Sequence, residues 1–270
     1  VIAGGVLALV LIAAIMAGAA ILAERTRRSG FIDGLWSLAT GLSALVLIAS
    51  SAGVTARALV VGLLVAVWSI RLGGHLLTRT LASAADDPRY ARLRREWGAA
   101  APRRLFVFLQ LQAVAGWLLA VSAAAAALRP GDLSWQDGLG VAIAVIAFGG
   151  ESLADRTLRH FRARRAGAVC DVGLWAWSRH PNYFFEWLFW VGIAVVGLGF
   201  EALGLRDLVV IIAPAEMYWL LVKVSGIPLL ERHMVESRGA AFQDYQARVS
   251  PFFPWPPKRS QAAYHRDKTR

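Results

Sequence analysis

Apolar residues in this chain gather in blocks about as long as a bilayer is thick. Seven can be read, at roughly 1–22, 31–50, 57–78, 105–128, 136–154, 183–203 and 207–227. A hydrocarbon core of about 30 Å needs about 20 helical residues at 1.5 Å each. Lipid offers no partner to backbone N–H and C=O groups, so these blocks are expected to be helices. The short alternating segments of a membrane β-barrel do not occur. The stretch 80–104 is polar, and its spacing predicts a short amphipathic helix over 88–97 lying at the interface. After the last block a helix carrying Glu231, Arg232 and His233 leaves the membrane. A compact turn with Asp244, Tyr245 and Arg248 follows, then an aromatic and proline stretch. The expected fold class is all-α: a polytopic integral membrane protein of about seven transmembrane helices in one domain, 1–256. The basic tail 257–270 is expected to be disordered. The first block lacks a basic n-region and its positive charges follow the apolar run, so it reads as a retained span and not a leader.

Composition agrees. The chain is 57% hydrophobic and 17% charged, with mean hydropathy +0.51, against about 25% charged in a soluble domain. The net charge of +11 raises nucleic acid as a partner, but the placement of charge argues otherwise. Of the 29 Lys and Arg, 25 lie after the first, third, fifth and seventh blocks. The alternate loops hold only Arg57, Arg129 and Arg206, and Arg71 lies inside a block. The positive-inside rule puts the rich side in the cytoplasm, with the N-terminus out and the C-terminus in. Anionic headgroups or an anionic ligand on that face are the expected partners. Cys170 is the only cysteine; it allows no intrachain disulfide and reads as a passive thiol.

Polar groups in or beside spans are costly, and each asks for a reason. Asp33 starts the second block, where the helix dipole favours an acid; Trp36 on the same face also allows a role in binding. Arg71, His75 and Arg79 form a polar stripe that suits an interhelical ion pair or a ligand. Glu151, Asp155, Arg159 and Arg162 share one helix face. They form either an ion-pair ladder or an anion cradle, since arginine forks suit phosphate. The densest signal is GLWAWSRHPNYFFEWLFW at 173–190. Pro181 suits a first helical turn, and the free N–H groups there, with Arg179 and His180, suit an anion. Asn182 and Glu186 point to one side. Glu186 sits among Phe184, Phe185 and Trp187, where a carboxylate must pair or meet a ligand. No metal-ligand set is apparent.

The segment 173–190, with Asp155, Arg159 and Arg162 before it and FQDYQARVSPFFPW after it, resembles the C-terminal signature of the steroid 5-alpha-reductase family, its bacterial branch included. The resemblance covers about 140–256. Sterol reductases share the R-H-P-N-Y run but follow it with Gly-Asp, where this chain has Phe185 and Glu186. The resemblance implies NADPH held in a cavity open to the cytoplasm by Asp155, Arg159, Arg162, Arg179, His180, Asn182, Tyr183 and Glu186, with Glu231 and His233 nearby. It divides the domain into substrate-side helices, 1–135, and a cofactor-binding part, 136–256. There is no Gly-rich dinucleotide fingerprint, so nucleotide binding comes from the resemblance alone. The first half departs from the family, which carries a Gln-Glu pair and a tyrosine on the ketone. Here the second block offers Asp33, and the tyrosine position falls near Trp68.

The implied activity is therefore reduction of a carbon–carbon double bond in a lipophilic, steroid-, isoprenoid- or fatty-acyl-like substrate. Asp33 or Tyr90 would be the proton donor or carbonyl partner, and Glu186 would orient the nicotinamide. The expected setting is a bacterial inner membrane, with lipids around the protein and no obligate protein partner. Isoprenylcysteine carboxyl methyltransferases are similar in a looser way, at the RHPNY start and the acid-rich helix around Glu231; they imply S-adenosylmethionine instead. A non-enzymatic lipid-binding protein, its polar clusters serving as interhelical ties, is the third reading.

Overall fold

The computed structural model describes residues 2–51, 55–82, 86–199 and 204–258. Its helices are α1 (Ile2–Thr26), α2 (Ile32–Ala49), α3 (Ala56–Leu81), α4 (Pro88–Trp97), α5 (Ala101–Ala127), α6 (Trp135–Arg164), α7 (Pro181–Gly197), α8 (Leu205–Trp219), α9 (Ile227–Arg238) and α10 (Ala240–Arg248). Among the described residues there is no strand, only one isolated bridge between Ser178 and Ser250. Among the described residues, six helical stretches are long and apolar enough to cross a membrane: α1, α2, α3, α6, the run Pro88–Ala127 containing α5, and the run Leu205–Arg238 containing α8. The protein is thus an all-helical membrane protein.

Local chemistry explains where the helices start and stop. Thr55 caps α3 by accepting from the Ala58 N–H at 3.1 Å. Asp87 caps α4 in the same way through Arg89, with Pro88 in the first turn, which matches the amphipathic helix expected at 88–97. Pro181 opens α7 as expected. The sixth block is shorter than read, because α7 has 17 residues and ends at Gly197. The seventh is interrupted. Helix α8 widens into a π-turn over Leu220–Val224 and breaks at Ser225 and Gly226. The polar helix α9 then follows, so the spanning part ends before Glu231. The turn expected around Asp244 is the helix α10. The fifth block does not stop at 154 but runs on as one helix to Arg164. The expected tail disorder falls, from residue 259 on, outside the described residues.

The chain forms two compact units that interleave in sequence: Val1–Ala144 with Trp190–Glu216, and Val145–Phe189 with Met217–Arg270. In the first, Ile12, Met16, Ile32, Leu105 and Leu109 form a buried core of α1, α2 and α5. Trp68, fully buried, meets Trp190 edge to face at 4.9 Å. Helices approach closely where side chains are small. A Cβ on Gly140 would lie 2.7 Å from the Gly192 carbonyl oxygen, so α6 and the end of α7 touch backbone to backbone.

One buried clamp ties the loop between α5 and α6 to α3. Arg57 donates through Nε to Asp137 at 2.7 Å and reaches the carbonyls of Arg129, Gly131 and Asp132. Arg129 meets the other Asp137 oxygen at 2.6 Å. Arg206 pairs with Asp207 at 2.9 Å, and Asp207 also accepts the Gly199 and Gly204 N–H groups. All three basic residues of the charge-poor loops therefore pair with acids of the same unit, Arg57 and Arg129 sharing Asp137.

The Arg57–Asp137 pair is almost fully buried, its side chains 2% and 5% exposed. Removing one partner strands a charge, so Asp137→Asn should lower unfolding stability by about 3–5 kcal/mol. Arg206→Ala, at a more exposed pair, should cost less than about 1 kcal/mol. Unfolding titrations of the two variants in mixed micelles check the contrast.

Candidate functional site

The site is built within the second unit around the turn that precedes α7. Gly173, at φ +58°, starts a short 3-10 turn over Gly173–Ala176. Trp175 anchors that turn by donating from its indole to the Ala154 carbonyl of α6 at 3.0 Å. Tyr245 of α10 donates its hydroxyl to the Trp175 carbonyl. Burial raises the Tyr245 hydroxyl far above the usual tyrosine range, so it remains a donor. Ser178 donates to the Phe252 carbonyl at 2.8 Å, and the Arg179 N–H donates to Ser250 at 2.8 Å. The turn is thereby stitched to the chain after α10, and its next side chains are held in place.

Those side chains converge on one carboxylate, Glu231. Arg179 donates to it through Nε at 2.7 Å and through its terminal nitrogen at 3.2 Å. Gln246 donates at 2.7 Å, and His180 Nε2 lies 3.0 Å away. The remaining Arg179 nitrogen reaches the Gln246 and Val249 carbonyls at 2.9 and 2.6 Å. Burial would push the Glu231 carboxyl up, but hydrogen bonds from His180 and Arg179 and the charge of Arg179 outweigh it and hold the group at about 2. His180, 3% exposed, is shifted down by burial despite the acid beside it. With Arg179 already neutralising Glu231, the imidazole is neutral, assigned the tautomer that donates from Nε2. Its Nδ1 is then an acceptor, buried and without a hydrogen-bond partner.

Around this cluster lie two further surfaces. Tyr183 stacks flat on His180, rings 5.5 Å apart and 11° from parallel. Phe184, Trp187, Tyr218, Phe252 and Phe253 form an aromatic wall of edge-to-face contacts, with Tyr218 and Phe253 stacked. A shallow groove of about 430 Å³ is lined by Pro228, Glu231, Arg232, Val235, Glu236 and Gln246.

The structure sorts the residues singled out in the sequence. Arg179, His180, Tyr183 and Glu231 come together. Arg179 is held by Glu231 and two carbonyls, so it serves as a clamp and has no fork left for phosphate. Glu186 is buried at 5% exposure, and Asn182, one turn before it on α7, is half-buried. Asp155 is half-buried on α6, whereas Arg159 and Arg162 are exposed toward its end. His233 is exposed and does not line the groove that Glu231 and Arg232 share. In the first unit, Asp33 accepts from Arg89 at 2.5 Å and from the Tyr90 hydroxyl at 2.8 Å. Tyr90 is buried, and burial together with the Asp33 charge raises its hydroxyl well above the ordinary value. Trp68 sits in the core and carries no acidic group.

Sequence reasoning missed two groups. Gln246 lies in an unremarkable polar helix, and nothing local marks it as a partner of Glu231. Glu216 is an acid inside α8, two residues after Pro214, and its Oε2 is buried without a partner. Its signal, a carboxylate within an apolar block, was readable.

A polytopic helical membrane protein with an ionisable cluster buried beside a groove is the class these observations define. The chain belongs to the family described as protein of unknown function DUF1295, whose sequence profile matches residues 19–249. No curated protein and no solved structure matches it.

The cluster predicts a pH dependence of stability. His180 has a folded pKa below its unfolded value, so its contribution is complete above about pH 6.5 and is lost as pH falls below it. Glu231 is also depressed, so its contribution holds above about 4.5 and is lost as pH falls toward 2. Thermal unfolding in detergent from pH 8 to 3 should show both declines. His180→Gln should flatten the upper one and Glu231→Gln the lower one.

Proposed function

We propose that the protein is a membrane-embedded NADPH-dependent reductase acting on a carbon–carbon double bond of a lipophilic substrate. The observation that carries this reading is the buried His180 acceptor, held by Glu231 and Tyr183 beside a groove in the same unit as exposed arginines. The resemblance of 140–256 to the steroid 5-alpha-reductase family supports it. The residues suit the cofactor in two respects. The lone Nδ1 acceptor matches an N–H donor such as a carboxamide, and Arg159, Arg162 and Arg232 match phosphates. When bound, NADPH supplies the hydride.

The chain's own residues bind, orient and exclude water. Arg179 fixes Glu231, which fixes the His180 tautomer and leaves its acceptor side open. Tyr183 holds the ring plane. Asn182 and Glu186 provide polar contacts on α7 among aromatic side chains that keep water out. On the substrate side, Tyr90 holds a proton at its hydroxyl, with Asp33 as its acceptor. We place the charge-rich loops, and with them the groove, on the cytoplasmic side of a bacterial inner membrane, the N-terminus outside and α7 completing seven spans.

One observation favours the S-adenosylmethionine reading. The RHPNY start at Arg179–Tyr183 and the acid-rich helix α9 around Glu231, which meet in one cluster, are the features the chain shares with the isoprenylcysteine carboxyl methyltransferases.

Thermal shift of the purified protein with NADPH, NADH and S-adenosylmethionine separates the readings. NADPH should stabilise most, and Arg162→Ala should weaken NADPH by about tenfold or more while leaving NADH nearly unchanged. Stabilisation by S-adenosylmethionine alone overturns the reductase reading. No shift with any ligand supports the non-enzymatic one.

A further inference from the structure

A second groove lies in the first unit, away from the Glu231 cluster, where α4 gives way to α5. It has a volume of about 540 Å³ and is lined by Trp97, Arg103, Arg104, Val107, Phe108 and Leu111, among others. Its residues change character along α5. Arg103 and Arg104 occupy the helix's first turn, just before the apolar block, and both are exposed. Among the described residues neither has an ion-pair or hydrogen-bond partner. This separates them from Arg57, Arg89, Arg94, Arg129, Arg179 and Arg206, which are all paired with acids.

Deeper along the same helix Val107, Leu111 and Val114 are exposed, 50%, 64% and 45% accessible, at spacings of four and three. They make one apolar stripe on a spanning helix, the surface an acyl chain covers. The wall beside the arginines is aromatic. Trp97 meets Phe108 edge to face at 6.2 Å, and Phe108 meets Tyr90 in the same way at 6.4 Å. Tryptophan is the side chain that settles at headgroup level. A pair of unneutralised cations, an aromatic wall and an apolar stripe therefore follow one another in the order of headgroup, glycerol region and chain.

We propose that this groove is a binding site for an anionic phospholipid of the surrounding bilayer, its phosphate taken by Arg103 and Arg104 and one acyl chain lying along Val107, Leu111 and Val114. The site is independent of the reductase reading. Through Phe108 it abuts Tyr90, whose hydroxyl bonds to Asp33, so the lipid braces the wall behind that polar pair.

Native mass spectrometry of the full chain released from detergent micelles tests this. The micelles are doped with phosphatidylglycerol or with phosphatidylcholine of identical chains. The expected result is one retained phosphatidylglycerol in preference to phosphatidylcholine, with excess inorganic phosphate unable to displace it. The double variant Arg103→Ala/Arg104→Ala should weaken phosphatidylglycerol retention by about twenty-fivefold, roughly fivefold for each arginine at an anionic surface. The variant Arg164→Ala/Arg165→Ala removes the same charge from an exposed segment and should leave retention unchanged. Circular dichroism of both variants should match the parent, since neither arginine of the groove has a partner to lose. Equal retention of the two lipids, equal loss in the two double variants, or displacement by inorganic phosphate overturns the proposal.

Discussion

The carboxylate of Glu231 is the point on which the second unit turns. It accepts from Arg179, His180 and Gln246, and these donors come from the turn before α7 and from α10, with Glu231 itself on α9. Three separate chain segments are thus joined through two oxygens. A half-buried carboxylate is stable only when its lone pairs are met and its charge is balanced. Here both conditions hold at once. That same satisfaction fixes the chemistry next to it. With Arg179 supplying the balancing charge, His180 stays neutral, and with Nε2 committed to Glu231 its Nδ1 is left as a buried acceptor without a hydrogen-bond partner.

Much of the fold was legible because its causes are local. A block of apolar residues becomes a helix in lipid whatever the rest of the chain does, and Asp87 with Pro88, or Pro181, starts a helix within a single turn. The interruption of the last block was less legible. Gly226 and Pro228 mark it in retrospect, but the π-turn over Leu220–Val224 that precedes the break has no short-range sequence signature. The candidate site was legible as a set of residues and not as a set of bonds. The run from Arg179 to Glu186 announced itself by polar side chains among aromatics. Its decisive partner, Glu231, lies 52 residues from Arg179, and periodicity carries no information over that distance. This is why Arg179 read as a phosphate ligand when its fork is turned inward onto a carboxylate.

Distance along the chain also hid the meaning of the charge distribution. Counting Lys and Arg showed an asymmetry between alternate loops. Pairing makes it sharper, because Arg57 and Arg129 share Asp137 and Arg206 has Asp207 in the poor loops, whereas Arg103, Arg104 and Arg159 elsewhere stay exposed. The insertion rule weighs positive charge near span ends. The ion pairs of the poor loops reduce their field, so the uncompensated charge lies almost wholly in the other loops. Asp33, Arg89 and Tyr90 show the complementary lesson. Asp33 was readable as an acid at a helix start, and its ring of partners depends on α4 folding back within reach.

The central claim is that Arg179 and Glu231 act as one unit that positions His180. A double-mutant cycle with Arg179→Ala, Glu231→Ala and the combined variant, read as unfolding free energy in mixed micelles at neutral pH, tests it most directly. The account predicts strong non-additivity, with each single change costing nearly as much as the pair and a coupling of about 1.5–3 kcal/mol. Costs that add to within about 0.5 kcal/mol would show that the two residues act independently and would contradict it.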